Sequence, residues 1–204
     1  MEHAVPKADR DLVALTVLAL LLTGPRHTYE MHRLIEKTHK TFVTGLPRSL
    51  YHATNRLVAT GDITVAGTGR DPGRPERTVY ALTEPGGQRL REWVARLMRI
   101  PDADSTLFTA ALNYAGCLPP PVVVDALHER QAELERRVRA ALGALGLPLP
   151  RILLLETEYE AARLAAEAAW VQGIAADIER GALQWPGSPL EIAGVEALLR
   201  EEGS

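Results

Sequence analysis

The sequence predicts a mainly α-helical chain in two parts: three helices, a two-stranded hairpin and a fourth helix over residues 1–100, then a wholly helical region over residues 101–204. Three observations carry this. Between Ser49 and Ile63 the apolar residues recur with the period of a helix that buries one side. Two short extended segments, residues 63–66 and 78–82, flank TGRDPGRPE, a loop of turn residues and arginines. From Val122 onward, apolar positions alternate spacings of four and three, the pattern of a coiled-coil seam.

Asp9 or Asp11 opens the first helix, in which Leu15, Leu18, Ala19 and Leu22 repeat at helical spacing until Gly24-Pro25 ends it. The run Leu12 to Leu22 is too short to span a bilayer. Asp9 and Asp11 in its flank, with no small-residue cleavage site after it, argue against a signal peptide and for a buried helix. Thr28 is the expected N-cap of helix two, with Met31, Leu34 and Ile35 inward. Gly45, Leu46 and Pro47 lead into helix three, whose buried stripe is Leu50, Ala53, Leu57 and Val58 and which Gly61 stops. After the hairpin, Thr83 with Glu84 opens a fourth helix to about Met98, with Trp93, Val94 and Leu97 inward. This order is the winged helix-turn-helix plan.

The net charge of −3 hides an asymmetry: residues 1–100 carry 15 Lys+Arg against 10 Asp+Glu, and the remainder 8 against 16. A basic half joined to an acidic half suits a nucleic-acid module fused to a self-association module. Cys117 is the only cysteine, which excludes an intrachain disulfide and a multi-cysteine zinc site and fits a cytoplasmic protein. Catalytic signatures fail: Pro72 interrupts GxGxxG, Ala132 interrupts HExxH, and Walker A and GxSxG are absent. His27, His32 and His39 read as polar surface residues, so no metal and no cofactor is expected.

Residues 12–98 resemble the PadR-type transcriptional regulators through LALLLTGPRHTYEMHRLIE, SLYHATNRLVATGDI and GRPERTVYALTEPGGQRLREW, in that order. Three positions depart from the family pattern: Thr28 where a glycine is usual, His52 where a proline is usual, and Thr54 where a leucine is usual. The resemblance implies DNA as partner. Helix three presents Arg48, Ser49, His52, Asn55 and Arg56, a face without a carboxylate, and Ser49, His52, Asn55 and Arg56 are its expected base readers. Arg70, Arg74 and Arg77 in the wing, with Lys37 and Lys40, are expected on phosphates, where they set salt sensitivity more than sequence choice. Tyr29 and Tyr51 read equally as phosphate donors and as partly buried residues. His52 is expected to give the protein its own base preference, one that protonation makes pH-dependent.

Ala103 to Leu118 suggests a connecting helix with Leu107, Phe108 and Leu112, which the prolines at 119–121 break. A charged helix over residues 122–145 carries the seam Leu127, Gln131, Leu134, Val138, Ala141 and Leu145, with Glu133–Arg137 and Glu135–Arg139 as pairs four residues apart. A last helix over residues 151–180 has a slim surface of Ala162, Ala165, Ala166 and Ala169. Two such helices form a thin core, so a homodimer is expected through Leu127, Gln131, Leu134, Val138, Leu145, Ala162, Ala166 and Ala169. The resemblance extends to long-tailed PadR-type proteins, whose C-terminal part is a dimerisation unit.

The expected function is a homodimeric, sequence-specific regulator, a repressor, on a pseudo-palindromic operator with half-sites about 34 Å or a multiple apart. The alternatives are a winged-helix protein–protein adaptor without DNA binding, and an enzyme with a winged dimerisation domain that lacks any cofactor motif here. A small-molecule effector is left open: Trp93, Phe108, Tyr114, Trp170 and Trp185 suit a pocket between the parts, and suit packing better.

Overall fold

The Asp11 carboxylate accepts the Ala14 N–H at 3.1 Å and so begins α1 (Leu12–Leu21) in the computed structural model, which describes residues 4–38, 40–69 and 77–185. Eight of its ten residues are buried, because elements pack on it from several sides. Thr16, buried among them, donates to the Leu12 carbonyl at 2.7 Å and accepts from the Tyr114 hydroxyl at 2.8 Å. Gly24, at φ 128°, turns the chain into β1 (Arg26–His27) and α2 (Thr28–Lys37). The N-cap is His27 rather than Thr28; the Glu30 carboxylate accepts its backbone N–H at 2.8 Å. Residues 40–47 lead to α3 (Arg48–Ala59).

Two further strands, β2 (Ile63–Gly69) and β3 (Arg77–Leu82), complete a three-stranded antiparallel sheet in the order β1-β3-β2. The expected two-stranded wing is present as β2 and β3, and a strand that was not expected joins it. The third is a two-residue strand, too short to show an alternating pattern, that pairs Arg26 with Tyr80 and His27 with Val79. The register of β2 on β3 shifts at a bulge between Val65 and Gly67.

Thr83 opens α4 (Glu84–Arg99) by accepting the Gly86 N–H at 3.1 Å while its own N–H and hydroxyl donate to the Asp62 carbonyl at 3.1 and 2.8 Å. Asp62 is buried, and its carboxylate is held by Thr60 and Arg89. The end of α3, the start of the wing and the start of α4 are thus pinned at one point.

The connecting helix is shorter than expected: α5 runs Ser105–Asn113 from an Asp104 cap, and a 3-10 turn follows at residues 115–117. Pro120 and Pro121 do not merely break it. They occupy the first turn of α6 (Pro120–Leu145), where a missing N–H costs nothing. A short 3-10 turn then leads into α7 (Leu155–Glu179), which lies along α6 and buries Ala161, Leu164, Ala168, Val171 and Ala175.

The apolar core is one cluster from Val5 to Ala175 that crosses residue 100 without a gap. At the crossing sits Arg130, 2 % exposed. Its Nη1 donates to the Leu97, Met98 and Ile100 carbonyls at 3.3, 3.2 and 3.1 Å, where the C-terminus of α4 leaves acceptors without intrahelical donors. Its Nε donates to Glu167 at 2.8 Å, and its guanidinium lies 3.7 Å from the centre of the Phe108 ring. Burial lowers the Arg130 pKa, and the Glu167 carboxylate opposes that shift.

On α6, Glu133 pairs with Arg136 and Arg137, each at 2.7 Å, and those bonds hold its carboxyl down to about 2. Glu135 accepts from Gln131 at 2.8 Å.

A Cβ on Gly86 would stand 1.9 Å from the Asp62 carbonyl oxygen, an approach that backbone must move to relieve. Gly86→Ala is therefore expected to cost more than about 2 kcal/mol in urea unfolding, against about 1 kcal/mol for Gly61→Ala, where only the positive φ is strained. The depressed Glu133 carboxyl stabilises the fold above the unfolded carboxylate range and loses that contribution as pH falls toward about 2. The melting temperature is expected to drop between pH 4.5 and 2 by a larger amount in the wild type than in Glu133→Gln, measured by circular dichroism.

Candidate nucleic-acid interface

At about 100° per residue, the buried arc of α3 is Ala53, Leu57, Leu50 and Thr54, and Val58 lies about 80° round from Leu50. Val58 is accordingly 38 % exposed, which corrects its place in the stripe. Thr54 takes the inner position instead, its hydroxyl satisfied by the Tyr51 carbonyl at 2.9 Å.

Opposite that arc, Arg48, His52 and Asn55 form an exposed ridge within about 40° of the outward direction. Tyr51, 59 % exposed, flanks the ridge on one side and stands edge-on to His52 with ring centres 6.0 Å apart. Ser49 and Arg56 lie on the other flank. Ser49 is half-buried and its hydroxyl donates to the Thr44 carbonyl at 3.0 Å, so it closes the turn before α3. Arg56 reaches back to the Asp11 carboxylate at the head of α1. The structure thus separates the expected base readers into an outward pair, His52 and Asn55, and two residues engaged within the chain.

Tyr29, at the start of α2, is 65 % exposed, so both tyrosines stand in solvent. Lys37 lies half-buried in the last turn of α2. Lys40 is drawn inward: its ammonium donates to the Asn113 side chain at 2.5 Å and lies 5.1 Å from the centre of the Tyr114 ring. Burial lowers its pKa. Lys40 therefore ties the loop before α3 to α5. Arg70 and Arg74 lie outside the described residues, and the backbone of Arg77 pairs with Gly69 at the far end of the described wing.

The residues expected to dimerise also divide. Leu127 and Leu134 are fully buried within one chain, which corrects their role as an exposed seam: α4 and α7 pack on α6 and leave those positions no outer face. Gln131, Val138 and Leu145 are half-buried, whereas Ala162, Ala166 and Ala169 face outward on α7. Leu142, Leu147, Leu149, Ile152, Leu153 and Tyr159 are exposed at the far end of the α6–α7 hairpin.

The five large aromatics each make packing or hydrogen-bond contacts within the chain. Trp93 is buried with its Nε1 donating to the Asp9 carbonyl at 2.8 Å, and Phe108 stacks edge-on to Trp170 at 6.1 Å. Tyr114 packs edge-on to Phe42 at 6.0 Å, and Trp185 donates to the Leu118 carbonyl at 2.8 Å. Cys117 is pushed up to about 11 by burial, far from a reactive thiolate. Among the described residues, no helix is long and apolar enough to cross a membrane, and no three His, Cys, Asp or Glu are grouped to hold a metal ion.

A model of the transcriptional regulator PadR-like family matches residues 17–92. No curated protein sequence matches the chain. Among solved structures, it is similar to Bacillus subtilis PadR in complex with operator DNA (20 % identity over 81 % of this chain and 98 % of that one, TM-score 0.40) and to the same protein with p-coumaric acid (19 %, 82 % and 99 %, TM-score 0.37). It is also similar to smu.1604c from Streptococcus mutans UA159 (20 %, 82 % and 98 %, TM-score 0.35).

The Arg56 side chain is 60 % exposed, and an ion pair in that setting is worth at most about 1 kcal/mol. A double-mutant cycle of Asp11→Asn and Arg56→Ala on thermal unfolding is expected to give a coupling below that figure; a larger value would mean that the pair holds α3 more firmly than its exposure allows.

Proposed function

Residues 17–92 being a domain of the transcriptional regulator PadR-like family, we propose that the chain is a sequence-specific DNA-binding regulator that acts as a homodimer, and as a repressor, on a pseudo-palindromic operator. The observation that carries the reading is the outer ridge of α3. Arg48, His52 and Asn55 project together from a helix whose opposite side is locked in the core, and no carboxylate stands among them to repel a phosphate. In this proposal Asn55 and His52 read base edges, and Arg48, Tyr51 and Tyr29 contact the backbone. Arg70, Arg74, Arg77 and Lys37 are assigned phosphate contacts in the same reading. Ser49, Lys40 and Arg56 act first by holding the helix and its loop in place, through Thr44, Asn113 and Asp11.

Ala162, Ala166 and Ala169 leave the outer side of α7 low enough for a second copy to approach closely, and the apolar hairpin end gives that copy surface to bury. In the same reading residues 1–100 recognise DNA, residues 101–204 assemble the dimer, and the protein is cytoplasmic. No catalytic role is proposed. Repression follows most simply, because a dimer seated across a promoter excludes polymerase without further contacts.

Duplexes selected from a random pool should bind the full chain with an affinity that falls steeply with salt. His52→Ala with Asn55→Ala should lower specific binding at least about 30-fold, the loss of two base contacts at roughly 1–3 kcal/mol each, while leaving nonspecific binding nearly intact. Equal specific binding by the double variant contradicts the assignment of α3, and no binding by the wild type favours the adaptor. Sedimentation of the full chain should show a dimer that dissociates in Ala162→Glu with Ala166→Glu; an unchanged dimer moves the interface elsewhere.

A further inference from the structure

Glu167 follows Ala166 on α7 but turns inward, its side chain 20 % exposed, whereas Ala166 faces outward. One of its carboxylate oxygens accepts from Arg130 Nη2 at 2.6 Å and Nε at 2.8 Å, and Arg163 lies 3.4 Å from the other. The far side of the same guanidinium meets the three carbonyls that close α4. One buried side chain therefore joins the end of α4 to the turn of α7 that carries Ala166. A second ionic link from α4 to α6, Arg99 with Glu129 at 2.9 Å, stands in solvent and holds weakly. Apolar packing holds these helices together, but crossing angles set by side-chain packing scatter by about 15–20°.

That scatter is large on the scale of DNA. Helix α4 has 16 residues and is about 24 Å long, so a 10° rotation at Arg130 moves its other end, where α3 is joined, by about 4 Å. One base-pair step is about 3.4 Å and turns the duplex by about 35°. A slack of 15–20° in each of two copies would absorb that step. We propose that Arg130 is the positioning residue that sets operator spacing: it fixes each α3 ridge relative to the α7 surface where the second copy lies, and so fixes the number of base pairs between half-sites. This rests on the dimeric DNA-binding reading above.

Binding of the full chain to its selected duplex is compared with duplexes whose half-sites are moved one or two base pairs closer or further apart, and with a single half-site. The wild type should lose at least about tenfold in affinity for a shift of one base pair. Arg130→Lys, which keeps the charge but not the fork, and Glu167→Ala, which keeps the bonds to α4, should each lose less than threefold, with single half-site affinity within twofold of wild type. Wild-type discrimination in both variants, or a single half-site affinity that falls as far as that for the full site, would overturn the proposal; the second outcome is that of a merely destabilised fold. A DNA-free measurement separates this from a failure of the function itself. Spin labels on Gln88→Cys in α4 and Gln172→Cys in α7, both exposed positions, report the angle in labelled chains diluted with unlabelled ones, while burial keeps Cys117 protonated and unlabelled. A narrow distance distribution in wild type that broadens in both variants is expected, and an unchanged width would overturn the role of Arg130. Failure of the wild type to select any duplex would overturn the function, and the spacing claim with it, while the distance widths still decide whether Arg130 sets the angle.

Discussion

Arg130 is the interaction on which the two halves of the chain depend. A guanidinium taken out of water is costly unless its donors are met, and here they are met by three carbonyls at the end of α4, by Glu167 on α7 and by the face of Phe108 on α5. Three helices, α4, α5 and α7, thus converge on one side chain from the middle of α6. The partners come from both sides of residue 100, so the winged part and the helical arm are not beads on a linker. Removing the charge would leave carbonyls and a carboxylate without donors, the arrangement in which truncation of a buried pair costs about 3–5 kcal/mol.

That anchoring decides how α3 is presented. Helix α4 is fixed at its far end by Arg130 and at its near end by Thr83, Gly86 and Asp62, which join it to the end of α3 and the base of the wing. Asp11 and Arg56 bind the remaining flank of α3 to α1, and Lys40 with Asn113 binds its entry loop to α5. What remains outside this framework is the ridge Arg48, His52 and Asn55 with Tyr51 beside it. In the proposed function that fixed placement matters, because base readout depends on donors held in register before contact.

Helices α2 to α4 were legible because their apolar periods are strong, and they lie where Met31, Leu50 and Trp93 place them; α1 was legible as an apolar run from Leu12 closed by Gly24-Pro25, and Gly61 stops α3 with φ 76°. Less legible was what depends on distant partners. Nothing local distinguishes Arg130 from Arg136 as a charge on α6; its burial follows from α4, α5 and α7 meeting there. The same cause moved Leu127 and Leu134 from a presumed dimer seam into the chain's own core. Spacing also could not say that Ser49, Lys40 and Arg56 turn inward, because hydrogen bonds to Thr44, Asn113 and Asp11 choose their direction. The one local signal for the inner role of Thr54 was its position four residues after Leu50 and three before Leu57, a register that a hydroxyl can occupy by bonding the Tyr51 carbonyl.

In the proposed function, two copies of one α3 ridge, each held by the same framework, read one DNA site. Hydroxyl-radical footprinting on the tightest duplex drawn from a random pool should show two equivalent protected half-sites related by a dyad, with centres about 10 base pairs, or a whole multiple, apart. A single unsymmetrical footprint, or protection that does not repeat with the helical turn, would contradict it.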